Sequence, residues 1–328
     1  MPAPQWSLAE AEAATSSVDL HRTVGFPVGV PAVVFAVEPG DAPERWAVVA
    51  RRLRHLPVVS VATGNDSTDE NHANETHADA THGDLDALIA AIVRRPHAAT
   101  VTAGVLRHLP DEPLAAFQLE SLAYATLQAG PEHARWLARR GRRVRNDPGP
   151  RVRLDDGDPV SITLTRGRLH NLLDRYGRDE LADAFRTVAL LGPDVRVRWD
   201  AEGPSFCAGG DPAEFGTVAD AATAHLVRAS ASPALALATI AHRVEVHVHG
   251  ACVGAGIELA AQAAHVVAHP SARFRLPELT MGLIPGVGGT WSIGRRIGRQ
   301  RLLTWLLLDD EIGVETALSW GLVDAVSS

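Results

Sequence analysis

Twice between residues 195 and 260 a short strand of alternating apolar and polar residues runs into a glycine-rich corner and then into a helical segment. The first passage is strand 195–199, the corner Ser205-Phe-Cys-Ala-Gly-Gly-Asp211 and helix 218–229. The second is strand 244–248 and the corner His249-Gly-Ala-Cys-Val-Gly-Ala-Gly-Ile-Glu-Leu259, which feeds another helix. Strands that alternate with helices predict a largely parallel sheet and an α/β fold. A hairpin precedes them, from Arg151–Leu154 through the turn Asp155-Asp-Gly-Asp158 to Val160–Leu164. A long helix then follows Asn171, with Leu173, Tyr176, Leu181, Phe185 and Val188 expected inward.

The first 146 residues read as a separate N-terminal extension. Two β-branched runs flank Trp46, Val49 and Leu53 and predict a small βαβ unit over 31–62. No glycine-rich turn follows its first strand, so no nucleotide site is assigned there. Residues 63–83 form a polar linker in which His72, His77 and His82 recur among carboxylates. Imidazole and carboxylate suit divalent ions, but no apolar residue holds them rigid, so the segment reads as a solvated loop and no metal site is assigned. Helices occupy 84–145, with one stripe of Leu85, Leu88, Ile89 and Ile92 and a second of Leu119, Leu122, Ala123 and Leu127. The last helix ends in Arg135, Arg139, Arg140, Arg142, Arg143 and Arg145. Cations there either complement the helix C-terminus or bind an anionic ligand. The breaker Asn146-Asp-Pro-Gly-Pro150 then predicts a domain boundary ahead of 151–328.

Composition narrows the chemistry. All 31 basic residues are arginine, which excludes a Schiff-base lysine, a lysine-anchored pyridoxal phosphate and a P-loop lysine. A net charge of −8 argues against a nucleic-acid partner. No run of 18 apolar residues predicts a membrane span, and the N-terminal stretch shows no basic region followed by an apolar one. A soluble, cytoplasmic protein is expected. Two cysteines, Cys207 and Cys252, make no disulfide framework and read as small core residues.

Glycine corners of this kind let backbone N–H groups approach a ligand oxygen, and two side by side allow an oxyanion hole. The helix starting near Ala255 aims its positive end at the same spot. Downstream come Ser271-Ala-Arg-Phe-Arg-Leu-Pro-Glu278 and Met281-Gly-Leu-Ile-Pro-Gly-Val-Gly-Gly-Thr290. With Ser205–Asp211, Gly250–Leu259, Pro277-Glu278, Gly282–Thr290 and Gly321-Leu-Val-Asp324, the chain resembles the enoyl-CoA hydratase/isomerase (crotonase) superfamily over about 151–326.

That resemblance implies a crotonase-like spiral of ββα units and an acyl-CoA thioester as substrate. Coenzyme A enters as part of the substrate, and no bound cofactor is implied. The oxyanion hole falls at the backbone N–H groups of Ala208 and Ala255, and the catalytic pair at Glu258 and Glu278. Asn171, Gly209, Asp211, Gly254, Gly286 and Arg275 fall where substrate or CoA would be bound. A homo-oligomer, trimer or hexamer, is also implied, and enoyl-CoA hydratase is the favoured activity. Isomerisation, cofactor-free oxygenation of an arylacetyl-CoA, and a non-catalytic acyl-CoA-binding or partner subunit are the alternatives. The paired carboxylates suit water addition, because one group activates the water while the other manages the proton.

Three features depart from the family pattern. Arg196 and Arg198 on one strand, and Glu245 and His247 on another, predict a polar sheet face with Glu245 pairing Arg198 across the ladder and meeting a polar interface such as the N-terminal region. Arg275 stands three positions before Glu278, where it would depress the carboxylate, bind an anion or point outward. The sequence stops soon after Asp324, where the resemblance implies further helices, and the 84–145 helices are expected to cover the acyl pocket instead.

Overall fold

The computed structural model describes residues 2–27, 29–37, 41–63, 77–141 and 147–327. The chain forms two compact units, Met1–Leu109 with Gly298–Asp309, and Pro110–Ile297 with Asp310–Ser328. The division therefore falls ahead of the helices at 113–140, rather than at the 146–150 breaker, because those helices pack with the residues that follow them.

The first unit holds four parallel strands in the order β1 (Gln5–Trp6), β2 (Ala32–Phe35), β3 (Val59–Thr63) and β4 (Ala80–His82). Helix α1 (Leu8–Thr15) begins on a Ser7/Glu10 capping box, and helix α2 (Leu20–Thr23) follows. Helix α3 (Pro43–Leu53) buries Trp46, Val49 and Leu53 on one face, with Trp46 stacked on Phe35 at 4.7 Å. Helices α4 (Leu85–Arg94) and α5 (Pro96–Arg107) and the helix Arg299–Leu308 complete it. The end of the expected linker is not a loop: β4 pairs with β3, and the Asp79 carboxylate accepts the Ser60 N–H at 2.8 Å and ion-pairs with Arg107. Thr304 and Gln300 bond the backbone of Thr81 and Ala78, which anchors that segment further. His77 and His82 are described and His72 lies outside the described residues; among those described, no cluster of metal-ligating groups forms.

In the second unit, helices α6 (Pro113–Gln128) and α7 (Pro131–Arg140) precede the hairpin β5 (Val152–Asp155) and β6 (Val160–Leu164). Helix α8 (Arg175–Leu190), strand β7 (Val197–Ala201), helices α9 (Ala221–Ala231) and α10 (Pro233–Ala238) and strand β8 (Val244–Val248) follow. Next come β9 (Ala251–Val253), α11 (Ala255–Ala260), β10 (His265–Ala268), β11 (Arg273–Arg275), α12 (Gly289–Ile297), β12 (Ile312–Gly313) and β13 (Ala325–Val326). One sheet runs β13-β10-β8-β7-β6-β5, parallel except for the hairpin; a second runs β12-β11-β9. β8–β9–α11 and β10–β11 with the 3₁₀ turn Glu278–Met281 repeat one strand–strand–helix path.

Alternation sets the larger sheet's two faces. Val197, Trp199, Val244, Val246 and Val248 are buried, while Arg198 and Glu245 are about half exposed and no interface covers them among the described residues. Arg198 and Glu245 are opposite in register, but the expected ion pair does not form. Each carboxylate or guanidinium instead binds a same-face neighbour two residues along its own strand, Arg198 to Asp200 at 2.6 Å and Glu245 to His247 at 2.6 Å. Arg196 lies just before β7 and pairs with Asp158 at 2.9 Å. Tyr176, expected inward, is half exposed with the Arg175 guanidinium over its ring.

Candidate active site

The two glycine corners are zipped together. Cys207 and Cys252 form a parallel bridge in which Cys207 N–H donates to Ala251 O at 3.1 Å and Val253 N–H to Cys207 O at 2.9 Å. A methyl group built on Gly209 would stand 3.9 Å from the Ala255 nitrogen, so the first corner borders the start of α11. Ala255 opens that helix, and its N–H has no intrahelical carbonyl to bond. With six residues, α11 adds little macrodipole, so the donor itself is what counts.

The other expected donor is engaged. Ala208 N–H donates to His170 O at 2.9 Å, which removes it from an oxyanion hole. On the same corner Leu173 N–H donates to Gly209 O and Asp211 N–H to Leu173 O. These bonds flank Gly210 and turn its N–H the other way, where it meets no partner among the described residues.

Both glutamates reach this point. Glu278 opens the 3₁₀ turn after Pro277 and is buried, and its Oε1 lies 2.5 Å from where a side chain on Gly254 would begin. Gly254 has φ +49° and ψ −122°, so the close approach and the backbone both require glycine there. Glu258, on α11, is 2% exposed, and its Oε2 accepts the N–H groups of Val287 at 2.8 Å and Gly289 at 3.2 Å. Burial, then the nearby charges of Glu278 and Glu120, push Glu258 well above the usual carboxylate range.

Glu120 was not visible in the sequence pattern. The stripe expected on α6 is rotated: Leu122 is 53% exposed, while Ala116, Phe117, Glu120, Ser121, Ala123 and Leu127 are buried. The Glu120 carboxylate accepts Gly288 N–H at 2.6 Å, Thr290 N–H at 2.8 Å and the Thr290 hydroxyl at 2.6 Å. Burial pushes it up to about 7 against those hydrogen bonds. One turn on, the Tyr124 ring packs against Gly286 under the Arg228 guanidinium, 4.3 Å from the ring centre. Burial raises the Tyr124 phenol, and the charges of Glu258 and Glu278 act on it in the same direction. The polar signal was the helical spacing of Glu120, Tyr124 and Gln128, four residues apart along one face.

The remaining expected residues divide. Gly209, Gly254 and Gly286 border the site. Asn171 instead clamps the chain, its Nδ2 donating to Glu202 O and Ser205 O at 2.8 Å each. Asp211 is buried against Arg166 at 3.0 Å and accepts Ala213 N–H, so it braces the corner. Arg275 is exposed, and its carbonyl accepts Gly254 N–H at 3.0 Å. Of the arginines at the end of α7, Arg139 is exposed and Arg140 lies over Trp136; Arg142 and Arg143 are outside the described residues. Burial pushes the Cys207 thiol up to about 12 and raises Cys252 well above the usual thiol range, which makes both poor nucleophiles.

The family model described as enoyl-CoA hydratase/isomerase matches residues 159–328. A curated "Probable enoyl-CoA hydratase" of Rhodobacter capsulatus is 32% identical over 174 residues, 53% of this chain and 66% of that protein. The "Mevalonyl-coenzyme A hydratase" of Beauveria bassiana is 33% identical, over 50% of this chain and 62% of that protein. The chain thus spans somewhat under two thirds of the length of these relatives. The crystal structure of an enoyl-CoA hydratase from Mycobacterium smegmatis superposes with a TM-score of 0.50 at 28% identity, covering 55% of this chain and 71% of that one.

Proposed function

The chain belongs to the enoyl-CoA hydratase/isomerase family, and from that premise we propose that it hydrates a 2-enoyl-CoA to a 3-hydroxyacyl-CoA. The observation that carries the reading is the buried pair Glu258 and Glu278 meeting beside the Gly254–Ala255 corner. The thioester carbonyl oxygen gains charge as the enolate forms, and two backbone N–H groups receive it. One is Ala255; the other is Gly210, in place of Ala208, whose N–H is bonded to His170. Each such donor contributes about 3–4 kcal/mol to the transition state.

The carboxyl pair handles the protons. The charge of Glu278 acts on buried Glu258, so the two titrate as a unit, and the form competent for hydration holds one proton between them. The ionised member takes a proton from water as the oxygen bonds to Cβ, and the protonated member delivers its proton to Cα. Water's hydroxyl and one proton are thus added, and the pair again holds one proton. The anionic groups of CoA require cations, for which the α7 arginines Arg139 and Arg140 are the described candidates.

The test is loss of the conjugated enoyl absorbance on incubation with crotonyl-CoA. Glu258→Gln and Glu278→Gln should each lower kcat by about 10²–10⁴-fold. Full activity in either variant refutes the assignment. No turnover of short- or long-chain enoyl-CoAs by wild type, with tight CoA binding retained, identifies a non-catalytic subunit instead. Oxygen uptake with an arylacetyl-CoA identifies the oxygenase, a reading that the carboxylate at Glu258 disfavours.

A further inference from the structure

The four N–H groups from Val287 to Thr290 are divided between two buried carboxylates. Val287 and Gly289 donate to Glu258, and Gly288 and Thr290 donate to Glu120. These are the loop before α12 and that helix's first turn, whose N–H groups have no intrahelical acceptor and favour negative charge. Glu120 therefore holds the peptide units that in turn hold Glu258. It comes from α6, ahead of residue 159, where the family match begins.

We propose that Glu120 is a positioning residue for the reaction proposed above, fixing Glu258 through the shared 287–290 segment and tuning its proton exchange through charge. The proposal rests on the hydratase reading only for its kinetic readout.

Three observations support it. The Glu120 side chain is 2% exposed and takes three donors from two residues, so its place is defined by hydrogen bonds on both oxygens. Its charge opposes that of Glu258, raising the latter after burial and Glu278. Burial brings Glu120 itself to about 7, so its charge changes near neutral pH, where an ionised Glu120 makes Glu258 harder to ionise. The charged and titratable groups around it are Tyr124 on its own helix, Arg228 and His225 on α9, Glu258 on α11, and Glu278 beyond Glu258. Arg228 lies over Tyr124 and bonds Ser121 and Gln128; it favours the ionised form of Glu120 only across the remaining distance.

The experiment uses the full chain with Glu120→Gln, Glu120→Asp and Thr290→Val. In Glu120→Gln the limb of the kcat/KM profile that reports Glu258 ionisation should move to lower pH by about one unit, with kcat reduced and KM little changed. Glu120→Asp keeps the charge and should restore the wild-type midpoint. Thr290→Val removes a bond that holds Glu120 ionised and should move the limb in the same direction as Glu120→Gln, which keeps the test intact if Glu120→Gln does not fold. Superimposable profiles in Thr290→Val and any folded Glu120→Gln, or a move to higher pH, overturn the proposal.

A second readout is independent of turnover. The infrared band of the buried carboxylic acid that disappears in Glu258→Gln is titrated in the free protein. A band that titrates at lower pH in Glu120→Gln or Thr290→Val supports the positioning role even if no enoyl-CoA is hydrated, in which case only the hydratase reading fails. Hydration by wild type with an unmoved Glu258 band refutes the positioning role and leaves the hydratase reading standing.

Discussion

A single methyl group at Gly254 should separate folding from chemistry in this site. Gly254→Ala places a Cβ on a residue with φ +49° and ψ −122°, a conformation that side chains avoid at a cost of about 1–3 kcal/mol. The same carbon would stand 2.5 Å from Glu278 Oε1, whereas ordinary contact starts at 3.4 Å, so the carboxylate or the corner must retreat by about 0.9 Å. Glu278 is only 6% exposed, so its carboxylate cannot swing into open solvent. A displacement near 1 Å at reacting groups is worth about 10²-fold in rate. The expected variant therefore folds with modestly lower stability in urea denaturation, binds a CoA thioester, and loses about two orders of magnitude in kcat on crotonyl-CoA. A folded Gly254→Ala protein with kcat within about twofold of wild type refutes the contact between Glu278 and the corner.

Other perturbations follow from the same geometry. Arg166 is buried among Asp147, Asp211 and Asp174 at 2.7, 3.0 and 3.4 Å, so Arg166→Met should destabilise by about 3–5 kcal/mol in chemical denaturation, because it removes the cation beside the buried Asp211 carboxylate. Glu120 holds its proton to about 7 in the folded state against an ordinary value of 4.5, so its contribution to stability is full below pH 4.5 and is lost as pH rises to about 7. Glu120→Gln should flatten that part of the stability–pH curve measured by thermal melting. Cys207 and Cys252 are buried with raised thiols, so iodoacetamide at pH 8 should label neither in the native protein and both after unfolding in guanidinium.

What a chain says about itself locally and what it says only when folded differ here for one reason. Glu258 and Glu278 were marked by the family resemblance, while the parallel sheet and the glycine corners were legible because each depends on neighbours in sequence, strand alternation and turn glycines. Ala255 belongs with them, since the first N–H of a helix is unbonded wherever the helix begins.

The rest depends on contacts between residues far apart in sequence. Ala208 looked like a donor until the carbonyl of His170 arrived to bond its N–H, and Asn171 and Asp211 looked like ligand contacts until they closed on Ser205 and Arg166. The tail of the polar linker became a strand because β3 offered it an edge and Arg107 neutralised Asp79. Glu120 is the clearest case. A glutamate in a helix reads as solvent-facing because charged side chains are seldom fully buried. Only the fold brings it to the N–H groups of Gly288 and Thr290, 168 and 170 residues away, whose donors make its burial tolerable. Sequence singled out Glu258 and Glu278 through the family resemblance; tertiary structure decided that the Ala208 N–H is bonded, and that Glu120 shares the 287–290 N–H groups with Glu258, because both depend on groups far apart in the chain.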